Sequence, residues 1–261
     1  MTLSLHTVVD GPPHGPTLVL GPSLGTDTGL FDEQVPALAA VVRTVRFDLP
    51  GHGASPDPAS PVTVAALAGG VLAALDGLGV DRFHYAGVSL GGAIGQHLAV
   101  HGDRLESLTL MATASRFPDP PSWRNRAAAV RAGGTETMVG SRAGVWYTER
   151  FATRNPDRVA ALLAMLRAVS DQAYAACCEA VSEFDVRDLL GRIDVPTWVV
   201  AGADDPATPR DLVADIAAGV AGAELRVLPG AHLINVEAAE DITALLLGQV
   251  GAGGSAGCRR C

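Results

Sequence analysis

The sequence predicts an α/β fold: a mostly parallel central sheet with helices on both faces and an inserted helical cap. Three observations carry that prediction. Apolar and β-branched runs alternate with helix-spaced runs along most of the 261 residues, the rhythm of successive strand–helix–strand units. The rhythm breaks once, from Arg116 to about Arg187, where strand signals vanish and helix-like runs take over. Finally, Gly87-Val88-Ser89-Leu90-Gly91-Gly92 stands between the apolar run Phe83 to Ala86 and the helix-like run Ala93 to Val100. That stretch reads as strand, sharp turn, helix.

Each element follows from its local pattern. Leu3 to Val9 alternates as a strand does, Gly11-Pro12-Pro13 turns the chain, and Thr17 to Leu20 forms a second strand leading into Gly21-Pro22-Ser23-Leu24-Gly25. A helical segment near Asp32 to Ala40 precedes the β-branched run Val41 to Phe47, which closes on Asp48-Leu49-Pro50-Gly51-His52-Gly53-Ala54-Ser55. Thr63 to Leu78 has apolar residues at helical spacing, and Leu105 to Met111 is a buried-strand candidate beyond the Ser89 turn. Within the cap, Trp123 to Ala132, Pro156 to Val169 and Asp171 to Glu183 read as helices. The strand Thr197 to Ala201, the helix Asp211 to Ala218, the strand Glu224 to Leu228 and the helix Ala238 to Leu247 then restore the α/β pattern. The expected organisation is a core over residues 1–115 and 188–248, a cap over 116–187, and a flexible glycine-rich tail over 249–261.

Composition narrows the function classes. A net charge of −9 opposes nucleic acid and anionic membranes as partners and favours a small molecule. Mean hydropathy is positive, yet no apolar run approaches the roughly 20 residues that span a bilayer. Met1 to Asp10 lacks the basic start and apolar block of a secretory signal, so the expected location is cytoplasmic. All 19 basic residues are arginine, which excludes Schiff-base chemistry and a phosphate-loop lysine. The cap holds ten arginines against eight acidic residues, and the remainder nine against twenty. Positive charge is therefore concentrated in the cap. Cys177 and Cys178 are adjacent, and Cys258 and Cys261 lie in the terminal run, an arrangement that builds no disulfide framework and lacks a second ligand pair for a metal.

Ser89 is the candidate nucleophile. A serine on a strand-to-helix turn stands clear of the backbone while the following helix aims its amides and positive dipole end at an oxyanion. Activation requires a base, and the base requires a group to hold its tautomer. Where the triad runs in the order serine, acid, histidine, only His232 of the seven histidines lies beyond Ser89 in the second α/β segment. His52, in Gly51-His52-Gly53, reads as loop architecture. Asp204 and Asp205 are adjacent candidates for the acid; Asp205 is preferred, being third after Gly202 with Pro206 bracing the turn. The oxyanion donors are expected to be the backbone N–H groups of Leu90 and Leu24. For substrate binding the candidates are Arg142 and Arg150, which flank Trp146, although other cap arginines compete. Bidentate arginine suits a substrate carboxylate.

With these residues assigned, the chain resembles the α/β-hydrolase superfamily from about residue 3 to 248. Within it, Ser23-Leu24-Gly25-Thr26-Asp27 followed by Phe31-Asp32-Glu33-Gln34 is similar to the 3-oxoadipate enol-lactonases. So are Asp48 to Ser55, Gly202 to Pro209, and His232-Leu233-Ile234-Asn235-Val236-Glu237. The chain departs from the pattern in the cap, where Val145-Trp146-Tyr147 replaces the expected Arg-Trp-Phe. The resemblance implies hydrolysis of an anionic enol-lactone in protocatechuate and catechol catabolism, with no metal or organic cofactor. Other readings on the same scaffold are a different carboxylic-ester hydrolase, a cofactor-free perhydrolase, or a non-catalytic binding protein.

Overall fold

The computed structural model describes residues 2–59 and 61–256, with side chains as far as residue 251. Seven strands form one sheet: β1 (Thr7–Asp10), β2 (Thr17–Gly21), β3 (Arg43–Phe47), β4 (Phe83–Val88), β5 (Leu105–Met111), β6 (Thr197–Gly202) and β7 (Glu224–Leu228). Their order across the sheet is β1-β3-β2-β4-β5-β6-β7, with β1 antiparallel to β3 and every other pairing parallel. Interior strands β2 and β4 are buried at every residue, as expected of strands covered on both faces.

The helices are α1 (Val35–Leu38), α2 (Val64–Gly77), α3 (Leu90–His101), α4 (Pro120–Gly133), α5 (Glu136–Val139), α6 (Glu149–Arg154), α7 (Pro156–Ala168), α8 (Asp171–Glu183), α9 (Arg210–Gly219), α10 (Ile234–Glu237) and α11 (Ala239–Ala256). Local sequence sets several of their ends. The Thr63 side chain caps α2 by accepting from the Ala66 N–H, and Asp119 caps α4 by accepting from Ser122, with Pro120 and Pro121 opening the helix. Helices α4 to α8 fall between Arg116 and Asp185, which form an isolated antiparallel bridge where the chain leaves the sheet and returns. Helices α4 and α8 pack against each other.

Three expectations are revised. The strand expected over Leu3 to Val9 is confined to Thr7–Asp10, because its pairing ends at Thr7 opposite Phe47, where β3 gives way to a loop. The helix expected over Asp32 to Ala40 shortens to α1, preceded by a 3₁₀ turn at Thr28–Phe31 that the Asp27 side chain caps. The chain beyond residue 248 continues α11 to Ala256. Gln249 explains this: it is buried, accepts from Thr109 Oγ1 at 2.5 Å and donates to Ser107 Oγ at 2.7 Å, which ties the helix to β5. Residues 257–261, including the pair Cys258 and Cys261, lie outside the described residues. Cys177 and Cys178 are buried free thiols. No helix among the described residues is long and apolar enough to cross a membrane.

Candidate active site

Between β2 and β4 the strand order changes direction, so the loops leaving their carboxyl ends diverge and open a crevice. Ser89 sits there, at φ 55° and ψ −114°, a backbone state that costs a residue with a side chain about 1–3 kcal/mol. Neighbouring groups hold it in place. The Ser89 N–H donates to Met111 O at 2.9 Å, Thr113 Oγ1 donates to Ser89 O at 2.8 Å, and Tyr85 Oη donates to Gly91 O at 2.8 Å. The turn also needs its glycines: a Cβ on Gly87 would lie 2.3 Å from Gly91 O, and one on Gly91 would lie 2.2 Å from Gly21 O. The helix can start this close to the strand only where both side chains are absent.

His232 follows β7 and reaches the same cavity as Ser89. Its backbone is pinned by the cap, since the His232 N–H donates to Val145 O at 3.1 Å and the Leu233 N–H donates to Trp146 O at 2.9 Å. Behind it, Asp205 Oδ2 lies 2.9 Å from His232 Nδ1. This bond places the proton on Nδ1 and leaves Nε2 free on the cavity side. Asp205 also accepts from the Ala207 N–H at 2.8 Å and from the Thr208 N–H and Oγ1 at 3.2 and 2.5 Å. Burial alone would push its carboxyl up, but His232 and the Thr208 donors outweigh burial and hold it below the usual carboxylate range. Asp204 is exposed, and its N–H is bonded to Gly230 O. Only Asp205 meets His232. Among the described residues no hydrogen bond joins Ser89 Oγ to His232, a contact often loose in ligand-free sites.

Leu90 is the first residue of α3, and Leu24 lies on the loop after β2. Neither N–H has a hydrogen-bond partner among the described residues. The loop carrying Leu24 is held by two bonds, Gly91 N–H to Pro22 O and Gly25 N–H to His52 Nε2, both at 3.1 Å. His52 is therefore an internal brace: it is fully buried, with Nδ1 2.8 Å from Pro50 O. Burial lowers its pKa from 6.5 to about 4, against the opposing pull of the Pro50 carbonyl and Asp48.

A histidine kept neutral by the fold but protonated when unfolded contributes its stability above pH 6.5. That stability is lost as pH falls from 6.5 towards 4 and the unfolded chain takes up the proton. Urea unfolding is thus expected to show the wild type losing roughly 2–3 kcal/mol more than His52→Gln between pH 7 and 4.5. Equal losses in the two proteins would remove His52 from that account.

The cap arginines sort by their partners. Arg116, Arg124, Arg131, Arg158, Arg167 and Arg187 are ion-paired. Among the described residues Arg126, Arg142, Arg150 and Arg154 are not, and of these only Arg126 and Arg142 line the Ser89 cavity. Arg142 is 6% exposed; its Nε donates to Met138 O at 3.2 Å, its Nη2 to Ser141 Oγ at 2.9 Å, and its guanidinium lies 5.6 Å from the Trp146 ring centre. Burial pulls its pKa below the ordinary arginine value, as expected of a cation desolvated without a carboxylate.

The structure separates Arg150 from this group. Glu237 receives the Thr148 N–H at 3.0 Å and Thr148 Oγ1 at 2.6 Å, which turns the chain into α6 and leaves Arg150 exposed on another cleft with Arg154 and Glu240. Trp146 stays inward at the cavity wall.

Sequence reasoning missed Arg126, Tyr174 and Thr208. Arg126 stacks 4.3 Å over Trp123, and Tyr174 lines the cavity with its hydroxyl pKa pushed up to about 12 by burial. Both sit in helical runs that read as ordinary amphipathic faces. Thr208 had a usable signal, since a Thr three residues after an Asp is a local turn pattern.

Among known proteins, the family model for the alpha/beta hydrolase fold matches residues 16–239. The chain is 34% identical over 239 residues to 3-oxoadipate enol-lactonase 2 of Acinetobacter baylyi, covering 90% of this chain and 88% of that one. It is 31% identical over 251 residues, with 93% of each chain covered, to a carbamate hydrolase by name, RutD of Caulobacter sp.. The crystal structure of the enol-lactonase from Burkholderia xenovorans LB400 superposes with a TM-score of 0.92 at 34% identity, covering 95% of this chain and 96% of that one. Sheet order, strained serine turn and full-length similarity agree: the chain belongs to the α/β-hydrolase family and is a carboxylic-ester hydrolase.

Proposed function

We propose that this enzyme opens 3-oxoadipate enol-lactone, or an anionic lactone of that class, with Ser89 as nucleophile, His232 as general base and acid, and Asp205 as the carboxylate that orients His232. The observation that carries the reading is Arg142: a buried guanidinium, unpaired among the described residues, on the cavity shared by Ser89 and His232. A desolvated cation is costly unless an anion meets it, and the substrate carboxylate is that anion. The cavity volume of about 190 Å³ suits a single small ring better than a long acyl chain. The similarity to enol-lactonases supports the choice of lactone.

The reaction follows from the arrangement. Nε2 of His232 takes the Ser89 proton as Oγ bonds to the lactone carbonyl, whose electron pair moves onto the oxygen held by the Leu24 and Leu90 amides. The ring C–O bond then breaks, and the departing enol oxygen receives the proton from His232. Because the leaving group belongs to the same molecule, it stays tethered in the acyl-enzyme. Water, deprotonated by His232, adds to the acyl carbon; the C–Oγ bond then breaks as His232 returns that proton to Ser89 Oγ, the released acid ionises to the second carboxylate, and the enol becomes a ketone. Asp205 stabilises the imidazolium in both halves.

The test is turnover of enol-lactone generated in situ, beside a neutral aryl ester and a simple carbamate, by wild type and Arg142→Met. Wild type is expected to prefer the enol-lactone. The variant should raise KM for it about tenfold to a hundredfold, as expected when a charge-assisted contact is removed, with the aryl ester unaffected. Preference for the neutral ester or the carbamate in a wild type that labels at Ser89 with a fluorophosphonate would discard the lactonase and keep the hydrolase.

A further inference from the structure

The loop between β2 and α1 carries a second polar group facing the cavity. Its backbone is fixed: Ser23 O accepts from the Thr26 N–H at 3.1 Å and from Thr26 Oγ1 at 2.8 Å, Pro22 O accepts from Gly91, and Gly25 donates to His52. The Ser23 side chain is different. The residue is only 1% exposed and lines the cavity with Ser89 and His232, yet its hydroxyl has no hydrogen-bond partner among the described residues. Nor is it sealed in the core. The occluded unpartnered side-chain atoms belong to Arg43, Arg46, Gln96, Arg158 and Asn235, so the Ser23 hydroxyl opens onto the cavity.

Covalent geometry limits where that hydroxyl can act. Ser23 Oγ and the Leu24 nitrogen each hang two bonds from Ser23 Cα, which keeps them within about 3–5 Å of one another. An oxygen bound by the Leu24 N–H on the side of the cavity that Ser23 lines is therefore close enough to accept from the Ser23 hydroxyl as well. A hydroxyl rotates freely to aim its proton, and here no protein acceptor competes for it. Burial raises the value of each donor, because water is excluded where the charge develops.

We propose that Ser23 is a third oxyanion donor, completing a hole whose other two donors are the Leu24 and Leu90 amides. As Ser89 Oγ bonds to the carbonyl carbon and its proton passes to His232, the carbonyl electron pair settles on oxygen. Ser23 donates a hydrogen bond to that oxygen and transfers no proton. The assignment rests on Ser89 being the nucleophile. It adds that transition-state charge, rather than ground-state binding, depends on a side chain that precedes the first backbone donor.

The experiment compares wild type, Ser23→Ala and Ser23→Thr on p-nitrophenyl acetate, with affinity for a trifluoromethyl ketone that forms an anionic tetrahedral adduct. Loss of one oxyanion donor costs about 10²–10³ in kcat where donors are few, and the third of three is expected to cost about tenfold or more. Ser23→Ala should lower kcat by that factor with KM within about twofold, weaken the ketone in parallel, and be largely rescued by Ser23→Thr. An unchanged kcat, a loss confined to KM, or a kcat loss with unchanged ketone affinity would overturn the assignment. Should Ser23→Ala fail to fold, Ser23→Cys, similar in shape and a weak donor, is read in the same way. Fluorophosphonate labelling separates the two readings. A folded wild type that fails to label at Ser89 removes the nucleophile itself, whereas a labelled wild type with an unaffected Ser23→Ala removes only the third donor.

Discussion

Ser89→Ala is expected to lower kcat by about 10⁴–10⁶-fold, the scale seen when the nucleophile of a serine hydrolase is removed, while the protein stays folded. The structure supports both halves. Ser89 Oγ has no hydrogen-bond partner among the described residues, so its removal breaks no contact of the folded chain. The bonds that hold the turn use the Ser89 backbone, namely its N–H to Met111 and its carbonyl to Thr113. Alanine keeps them and keeps the positive φ, so thermal unfolding should stay within about 1 kcal/mol of wild type. His232→Ala should match Ser89→Ala in kcat, because residues acting as one unit lose their effect together. Turnover within tenfold of wild type in either folded variant would end the proposed mechanism.

Asp205→Asn should lower kcat about 10³–10⁴-fold, the scale of losing the carboxylate that sets the histidine tautomer, and Asp204→Asn should change it less than about threefold. The two side chains are neighbours in sequence but occupy different environments. Asp205 is buried against Nδ1 of His232, with Thr208 and Ala207 donating to its oxygens. Asp204 faces solvent. An asparagine at 205 can present its amide N–H to Nδ1, which favours the wrong tautomer and leaves Nε2 carrying the proton it must accept. The decisive measurement is kcat for the two variants side by side at one pH. A larger loss in Asp204→Asn would transfer the role to the exposed carboxylate.

Much of the architecture was legible because strand and helix periods are local. Leu105–Met111, Asp171–Glu183 and Glu224–Leu228 form elements with the bounds their patterns predict. The Ser89 turn was legible for a related reason: Gly87 is demanded by a backbone contact with Gly91, only four residues along the chain. Residues whose partners are far along the chain were not. The continuation of α11 past residue 248 depends on Gln249 meeting Thr109 and Ser107 on β5, more than a hundred residues away. The exclusion of Arg150 depends on Glu237 capturing Thr148 and redirecting the chain before α6.

From its own pattern the sequence determined the α/β rhythm, the helical cap and the serine turn, since each is written in residue type and spacing. Tertiary structure alone decided which two of ten cap arginines face the cavity without a carboxylate partner among the described residues. It also decided that Ser23 opens its hydroxyl onto the cavity that Leu24 lines. The physical reason is the same in each case. Periodicity fixes which face of an element is buried, but the partner a polar group finds there is set by elements that pack from elsewhere in the chain.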